Sequence, residues 1–224
     1  MSRSSITVKQ YLAIVIILMF IGTALIASNT GDLEHLEERL LDNPNDIETL
    51  MLLARRYQGK AVESDSSSLE KAEELFKRVL ELSPDHTEAT AWLGSLKLLR
   101  ARDSWFPPSK LWYLNTGSRD IDRAVSMDPD NPMIRLIRAT SYISIPAIFM
   151  KRGTAIGDLE YIILLRDRSP GTVDDDILAH AHFLLGKHYY DSDSPAKADF
   201  HFKKAIEAAP DSTYGLAALD MLDK

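Results

Sequence analysis

Five prolines set a rhythm on this chain: Pro44, Pro84, Pro129, Pro170 and Pro210 stand 40 to 45 residues apart. Three of them sit in near-copies of one phrase, Glu81-Leu82-Ser83-Pro84-Asp85, Ser126-Met127-Asp128-Pro129-Asp130 and Glu207-Ala208-Ala209-Pro210-Asp211. A fixed period of this size marks stacked supersecondary units, each unable to bury its apolar face alone. Such stacks build extended surfaces, which suit binding better than catalysis.

Between the prolines, apolar residues recur at three and four, the helical period. The spacing predicts helices over residues 33–41, 47–57, 69–82, 87–100, 119–127, 132–144, 154–166, 176–190 and 195–209, with a terminal helix over 212–222. Residues 59–68, polar and Ser-rich, read as a surface loop, and residues 101–116 as an irregular insertion. No stretch alternates at period two for long enough to make a strand, so the expected fold class is all-α.

The N-terminus departs from this pattern. Tyr11 to Ala27 is seventeen residues without a charge, and at ~1.5 Å per residue a helix of that length reaches the short end of a bilayer span. Apolar on every face, it suits lipid rather than the core of a repeat domain. Arg3 and Lys9 precede it, and the positive-inside rule, which counts basic residues, leaves the N-terminus in the cytoplasm and the rest outside. The alternatives are a cleaved signal peptide, for which the run is long and its small-residue exits imperfect, and a reversed orientation with the repeats cytosolic. The expected organisation is a cytoplasmic tail over 1–10, a transmembrane anchor over 11–28 and a helical domain over 32–224.

Composition bounds the chemistry. The formal net charge is −7, the wrong sign for a general nucleic-acid binder, which shows a basic face. With no cysteine, the chain has no disulfide, thiolate metal site or cysteine nucleophile. It carries no Gly-rich phosphate loop and no Gly-x-Ser-x-Gly elbow. Four of the six histidines, His180, His182, His188 and His201, crowd the last unit, yet two residues apart on a helix His180 and His182 point to different faces. No metal, cofactor or catalytic role is expected.

The last unit carries a distinctive series. Leu185-Gly186 and Tyr189 on its first helix are followed by Ala198, Phe202, Ala205 and Pro210 on and after its second. In these residues the chain resembles the tetratricopeptide repeat (TPR) family, whose helix hairpins carry a bulky residue, Leu-Gly, an aromatic, then Ala, Phe, Ala and Pro at fixed offsets. Only the bulky position departs, holding His182. The earlier units follow with insertions: Leu53-Ala54, Tyr57, Ala72, Phe76, Val79 and Pro84 in the first, and Leu93-Gly94, Ala124 and Pro129 in the second. The second has Lys97 at the aromatic position and about eleven inserted residues; the third, Arg138-Ala139, Tyr142, Ala155, Leu159, Ile162 and Pro170, is the most degenerate. The resemblance spans residues 44–212 and implies a right-handed superhelical solenoid of about four TPR-like hairpins, with residues 212–222 as a solvating cap. Residues 36–54 are also similar to the start of the periplasmic TPR domains of cytochrome c maturation factors, which are membrane-anchored and hold apocytochrome tails.

The family resemblance implies binding along the concave wall of first helices. On this sequence the wall includes Arg55 in the first unit, Leu136 and Thr140 in the third, and Phe183 and Lys187 in the fourth. It lacks the dense Lys/Arg clamp with which some TPR domains hold carboxylate tails. The insertion adds Trp105, Phe106, Trp112 and Tyr113, large aromatics beside Pro107-Pro108 that suit a partner or membrane surface. So dense an apolar cluster favours folding back between units two and three instead. Phe149, in the second apolar insertion, is expected to complete a pocket there with Trp105 and Trp112.

These readings converge on a partner-binding scaffold, not an enzyme, at the outer face of a bacterial cytoplasmic membrane, gripping a protein or peptide with its TPR surface and reaching the bilayer through its N-terminal helix. A ligand-binding component of a transport or envelope system, using the pocket between repeats two and three, is the alternative. A structural subunit of an envelope complex or homo-oligomer is the third reading.

Overall fold

The computed structural model describes residues 30–62 and 65–223. The tail and anchor expected over residues 1–28 lie outside them. Among the described residues every regular element is helical, and no helix is long and apolar enough to cross a membrane.

Helix α1 (Thr30–Asp42) leads into four hairpins: α2 (Ile47–Val62) with α3 (Ser66–Leu82), α4 (Thr87–Asp103) with α5 (Pro107–Met127), α6 (Pro132–Ile143) with α7 (Arg152–Arg168), and α8 (Asp175–Asp191) with α9 (Pro195–Ala208). A final helix, α10 (Thr213–Leu222), packs on both helices of the last hairpin. Each second helix packs on the first helix of the next unit, and the first helices of successive units also touch. The chain is therefore a row of stacked hairpins, as the proline period demands.

Local chemistry sets the boundaries. The Asp65 side chain accepts hydrogen bonds from the Ser67 and Ser68 amides at 3.0 and 3.3 Å, capping α3. Asn131 caps α6 in the same way through Met133 and Ile134, and Ser212 caps α10 through Gly215. The side-chain oxygens satisfy amides that have no partner within the helix. Because α2 runs to Val62 and Asp65 starts α3 at once, the loop expected over 59–68 shrinks to the short link between them. Of the polar residues there, Asp65 is the cap, Ser66 and Ser67 form the exposed start of α3, and Ser68 is buried.

The insertion at 101–116 is the larger correction. It is not an irregular loop: α4 continues to Asp103 and α5 begins at Pro107. Pro107 and Pro108 open α5, where a missing N–H costs nothing because the first amides of a helix are unpaired anyway. The inserted residues thus lengthen one hairpin, giving helices of 17 and 21 residues.

Two glycines let that hairpin close. A Cβ on Gly94 would stand 2.7 Å from the Gly117 carbonyl oxygen and 2.6 Å from Cγ1 of Ile121, and one on Gly117 would meet the Gly94 carbonyl oxygen at 2.7 Å. The backbones of α4 and α5 touch there, and only glycine fits. In the last hairpin a Cβ on Gly186 would meet the Phe202 ring at 2.6 Å, so a side chain rather than a backbone fills the same place. Lys97, at the position the repeat gives to an aromatic, reaches across to the Asp120 carboxylate on α5.

The histidines of the last unit face different neighbours. His182 Nδ1 lies 3.0 Å from His201 Nδ1, a contact in which one ring donates and the other accepts. His180 stacks on Tyr214 with ring centroids 3.6 Å apart. Burial, aided by the charges of His201 and Lys204, pushes His182 down to about 4, and burial alone pushes His180 down to about 3.

This packing makes two predictions. Gly117→Ala lowers the free energy of unfolding by about 1–3 kcal/mol in urea denaturation, the usual cost of overpacking. Gly157→Ala raises it by up to about 1 kcal/mol, because that helical glycine has nothing within 4 Å of its would-be Cβ. Acid sensitivity is the second. The unfolded chain takes up histidine protons near the ordinary value of ~6.5, while folded His182 resists them down to about 4. Stability is therefore lost as pH falls through that window, by up to ~1.4 kcal/mol per pH unit for each histidine kept neutral. Melting curves between pH 7 and pH 4.5 read the slope, which His182→Gln flattens.

Candidate interaction surface

The concave wall is already occupied by its own packing. Leu136 is buried within the core of the third unit, and Phe183, at 1% exposure, packs on Phe202 and Tyr214. Both were expected to face a partner; in the structure they hold helices together. Arg55 is spent on Glu88 of the next unit at 3.3 Å, and that carboxylate also accepts from Trp92 Nε1 at 3.0 Å. Thr140 turns its hydroxyl back to the Leu136 and Ile137 carbonyls. Lys187 sits near Asp191 at 3.7 Å and over the Tyr190 ring.

The aromatic insertion behaves in the opposite way. Folding back into the seam was the expectation, yet Trp105 is 90% and Trp112 56% exposed. The cause is the helical extension. Residues 107–116 form the added turns of α5, in which Leu114 is buried while Trp105 and Phe106 before them and Leu111 and Trp112 within them stay exposed. Leu114 joins the buried cluster that also holds Ala101 and residues of the third unit, leaving Trp105, Phe106, Leu111 and Trp112 exposed. Trp105 pairs with Phe106 at 5.7 Å between ring centroids, and Trp112 with Tyr113 edge-on at 5.0 Å.

Phe149 is separate from the tryptophans but close to α5. After α6, Ala147–Phe149 makes one turn of 3₁₀ helix, ended by Met150 in the left-handed region at φ 54°. That turn folds Phe149 and Lys151 against the flank of α5. The result is an open cleft of about 420 Å³ between units two and three, to which α5 contributes Leu114, Asn115, Ser118, Arg119 and Asp122. A pocket at this seam was expected, but neither Trp105 nor Trp112 lines it, and its walls are half polar.

The polar groups around the cleft form a network that apolar periodicity does not reveal. Asp158, at 1% exposure, is bridged by Arg135 Nη1 at 2.7 Å and by Arg138 through Nε and Nη2 at 2.6 and 2.8 Å. Arg138 also reaches Asp122 at 3.2 Å, and Lys151 approaches the same carboxylate at 3.6 Å. Beneath them Tyr142, fully buried, donates its hydroxyl to the Ser118 carbonyl at 3.1 Å. Burial, reinforced by Asp122, pushes that hydroxyl above the ordinary tyrosine range, so it remains a donor. The one sequence signal for this network was Arg138, a charged residue where the repeat places leucine. Among the described residues no group of three histidines or carboxylates is placed to hold a metal ion.

Residues 179–212 match the family model for the tetratricopeptide repeat. Among curated proteins none matches the chain. Among solved structures, TTC0263, a thermophilic TPR protein of Thermus thermophilus, superposes with a TM-score of 0.63 at 21% identity, over 86% of this chain and 89% of that one. Human IFIT1, solved as a dimer with PPP-AAAA, gives a TM-score of 0.61 at 17% identity, over 95% of this chain and 53% of its own, so this chain spans about half of IFIT1. At these identities the likeness is one of fold. The described chain is a TPR-like helical solenoid, and its last hairpin matches the tetratricopeptide repeat itself.

Proposed function

We propose that this protein is an interaction scaffold that grips a partner protein or peptide with its projecting α4–α5 hairpin. The observation that carries the reading is the exposure of Trp105, Phe106 and Trp112 on a helical tip fastened by the Gly94–Gly117 contact. Large aromatics dominate the energetics of protein interfaces, and clustered apolar exposure marks a surface that is covered in use. A rigid helix loses little conformational entropy when the partner lands. The nucleotide ligand of IFIT1 does not transfer, because a chain of net charge −7 repels a polyphosphate backbone.

The scaffold works, in this reading, at the outer face of a bacterial cytoplasmic membrane, tethered by the uncharged run Tyr11 to Ala27. A polypeptide segment is also the kind of partner implied by the sequence similarity at residues 36–54. Catalysis has no place in it. Protease added to intact spheroplasts digests the repeat domain if the tether has the proposed orientation; protection until lysis would reverse it.

The central test is cross-linking capture from native membranes with wild type, Trp105→Ala/Trp112→Ala and Arg55→Ala/Lys187→Ala. The expected result is one captured protein, lost at least tenfold in the aromatic variant and retained in the wall variant. Loss in the wall variant alone would move the site to the concave face. No specific capture by the wild type would sink the scaffold reading.

A further inference from the structure

The cleft beside α5 contains hydrogen-bonding capacity that the fold leaves unused. Ser118 is 5% exposed and its Oγ has no hydrogen-bond partner, although its carbonyl is taken by Tyr142. A buried hydroxyl without a partner is uncommon and costs free energy comparable to a lost hydrogen bond. One helical position on, Arg119 lines the same cleft and makes no ion pair among the described residues. Lys151 on the opposite wall lies 3.6 Å from Asp122, 3.5 Å from the Tyr142 hydroxyl and 4.6 Å from the centre of that ring. Asp122 is already shared with Arg138. In a protein of net charge −7, this cleft sets two cationic side chains, Arg119 and Lys151, against one carboxylate, the shared Asp122.

We propose that the cleft binds a carboxylate, an Asp or Glu side chain of a partner segment that also carries a large apolar residue. This rests on the scaffold reading and gives its partner a chemistry. The Ser118 hydroxyl donates to one carboxylate oxygen while Arg119 and Lys151 supply charge and further donors, the arrangement that makes charge-assisted hydrogen bonds strong. A cation would meet Arg119 and Lys151 and is excluded by repulsion. A phosphate dianion fits worse than a carboxylate, because Asp122 stands in the same wall. The apolar requirement comes from the cleft's edge. Phe149 lies on one side, and Leu111, one helical turn before Leu114 and Asn115 on the same face of α5, continues the lining toward the exposed aromatic tip. A volume of about 420 Å³ is within the range of specific ligand sites and admits a short peptide stretch rather than a folded element. The site lies on the flank of a second helix, away from the wall of first helices.

The probe is a fluorescein-labelled, C-terminally amidated peptide, Gly-Phe-Asp-Leu-Asp-Gly, titrated with the full chain by fluorescence anisotropy beside its Phe-Asn-Leu-Asn counterpart. Binding of the acidic peptide is expected, at least tenfold tighter than the amide counterpart and weakened by salt. Ser118→Ala and Arg119→Ala each weaken it about tenfold, the loss expected for a hydrogen bond to a charged group. Lys203→Ala, far along on α9, leaves it unchanged. Ser118→Ala melts at or above the wild-type temperature, since it removes only an unsatisfied atom; a large drop would show that the hydroxyl is satisfied within the fold and overturn the proposal. Equal binding of the two peptides, or equal binding by wild type and Arg119→Ala, would also overturn it. So would competition by inorganic phosphate at the peptide's own concentration, which would assign the cleft to phosphate chemistry. If Arg119→Ala still captures the wild-type partner from membranes while no peptide binds, the cleft proposal falls and the scaffold reading stands.

Discussion

The contact between Gly94 and Gly117 is the constraint on which the projecting α4–α5 hairpin depends. Two helices of 17 and 21 residues pack along their length only if their axes approach closely somewhere, and here the backbones meet with no side chain between them. That contact fixes the register of α5 on α4. The large side chains of the first turns, Leu111 and Trp112, then stay in solvent, and burial begins at Leu114. Ile121, Ala124 and Val125 are buried on the inner side of this pivot, whereas Leu111 and Trp112 are exposed on the outer side.

Burial of charge at the neighbouring seam follows from the same geometry. Once α5 is fixed, Ser118 and Asp122 face the third unit, and that unit answers with Tyr142, Arg138 and Lys151 rather than with leucines. Asp158 is shared by Arg135 and Arg138, and a buried charge cluster of this kind contributes less net stability than its distances suggest, because the charges lose water. Its contribution is directional. A bidentate arginine fixes the relative placement of α6 and α7 more narrowly than apolar contact would, and α7 begins immediately after the turn that carries Phe149 and Lys151 into the cleft.

Legibility from sequence followed the physics of each element. The repeat positions of the fourth hairpin were readable because its closing contact, Gly186 on Phe202, lies within one unit at fixed spacing. The second was readable at Gly94 and Ala124, but its insertion was not, since Pro-Pro after aromatics signals a loop and a helix start equally well. Neighbours that α5 lacks decided between burial and exposure of Trp105 and Trp112, and no local pattern encodes a missing neighbour. Leu136 and Phe183 were placed on the wall by helical projection. A projection gives an angle about the axis, and in a curved stack that angle also serves the seam between units. Ser118 could not have been found at all, because being unpartnered is a property of the assembled site.

The proposed placement of the binding surface away from the concave wall has a physical reason. A wall of first helices can bind only with side chains that the stack does not need, and here Leu136, Phe183 and Arg55 are consumed by packing and by the ion pair to Glu88. Lengthening one hairpin creates surface without drawing on the first helices, since Trp105, Phe106, Leu111 and Trp112 are exposed while Leu114 is buried. The inner face of the added turns carries Leu114 into the cluster shared with Ala101 and the third unit. Their outer face is left free for residues that a soluble surface would otherwise exclude. The cleft opens on the flank of this extension, where the third unit's turn meets it, so a segment lying along α5 would touch the aromatic tip and the unpaired donors in one continuous track.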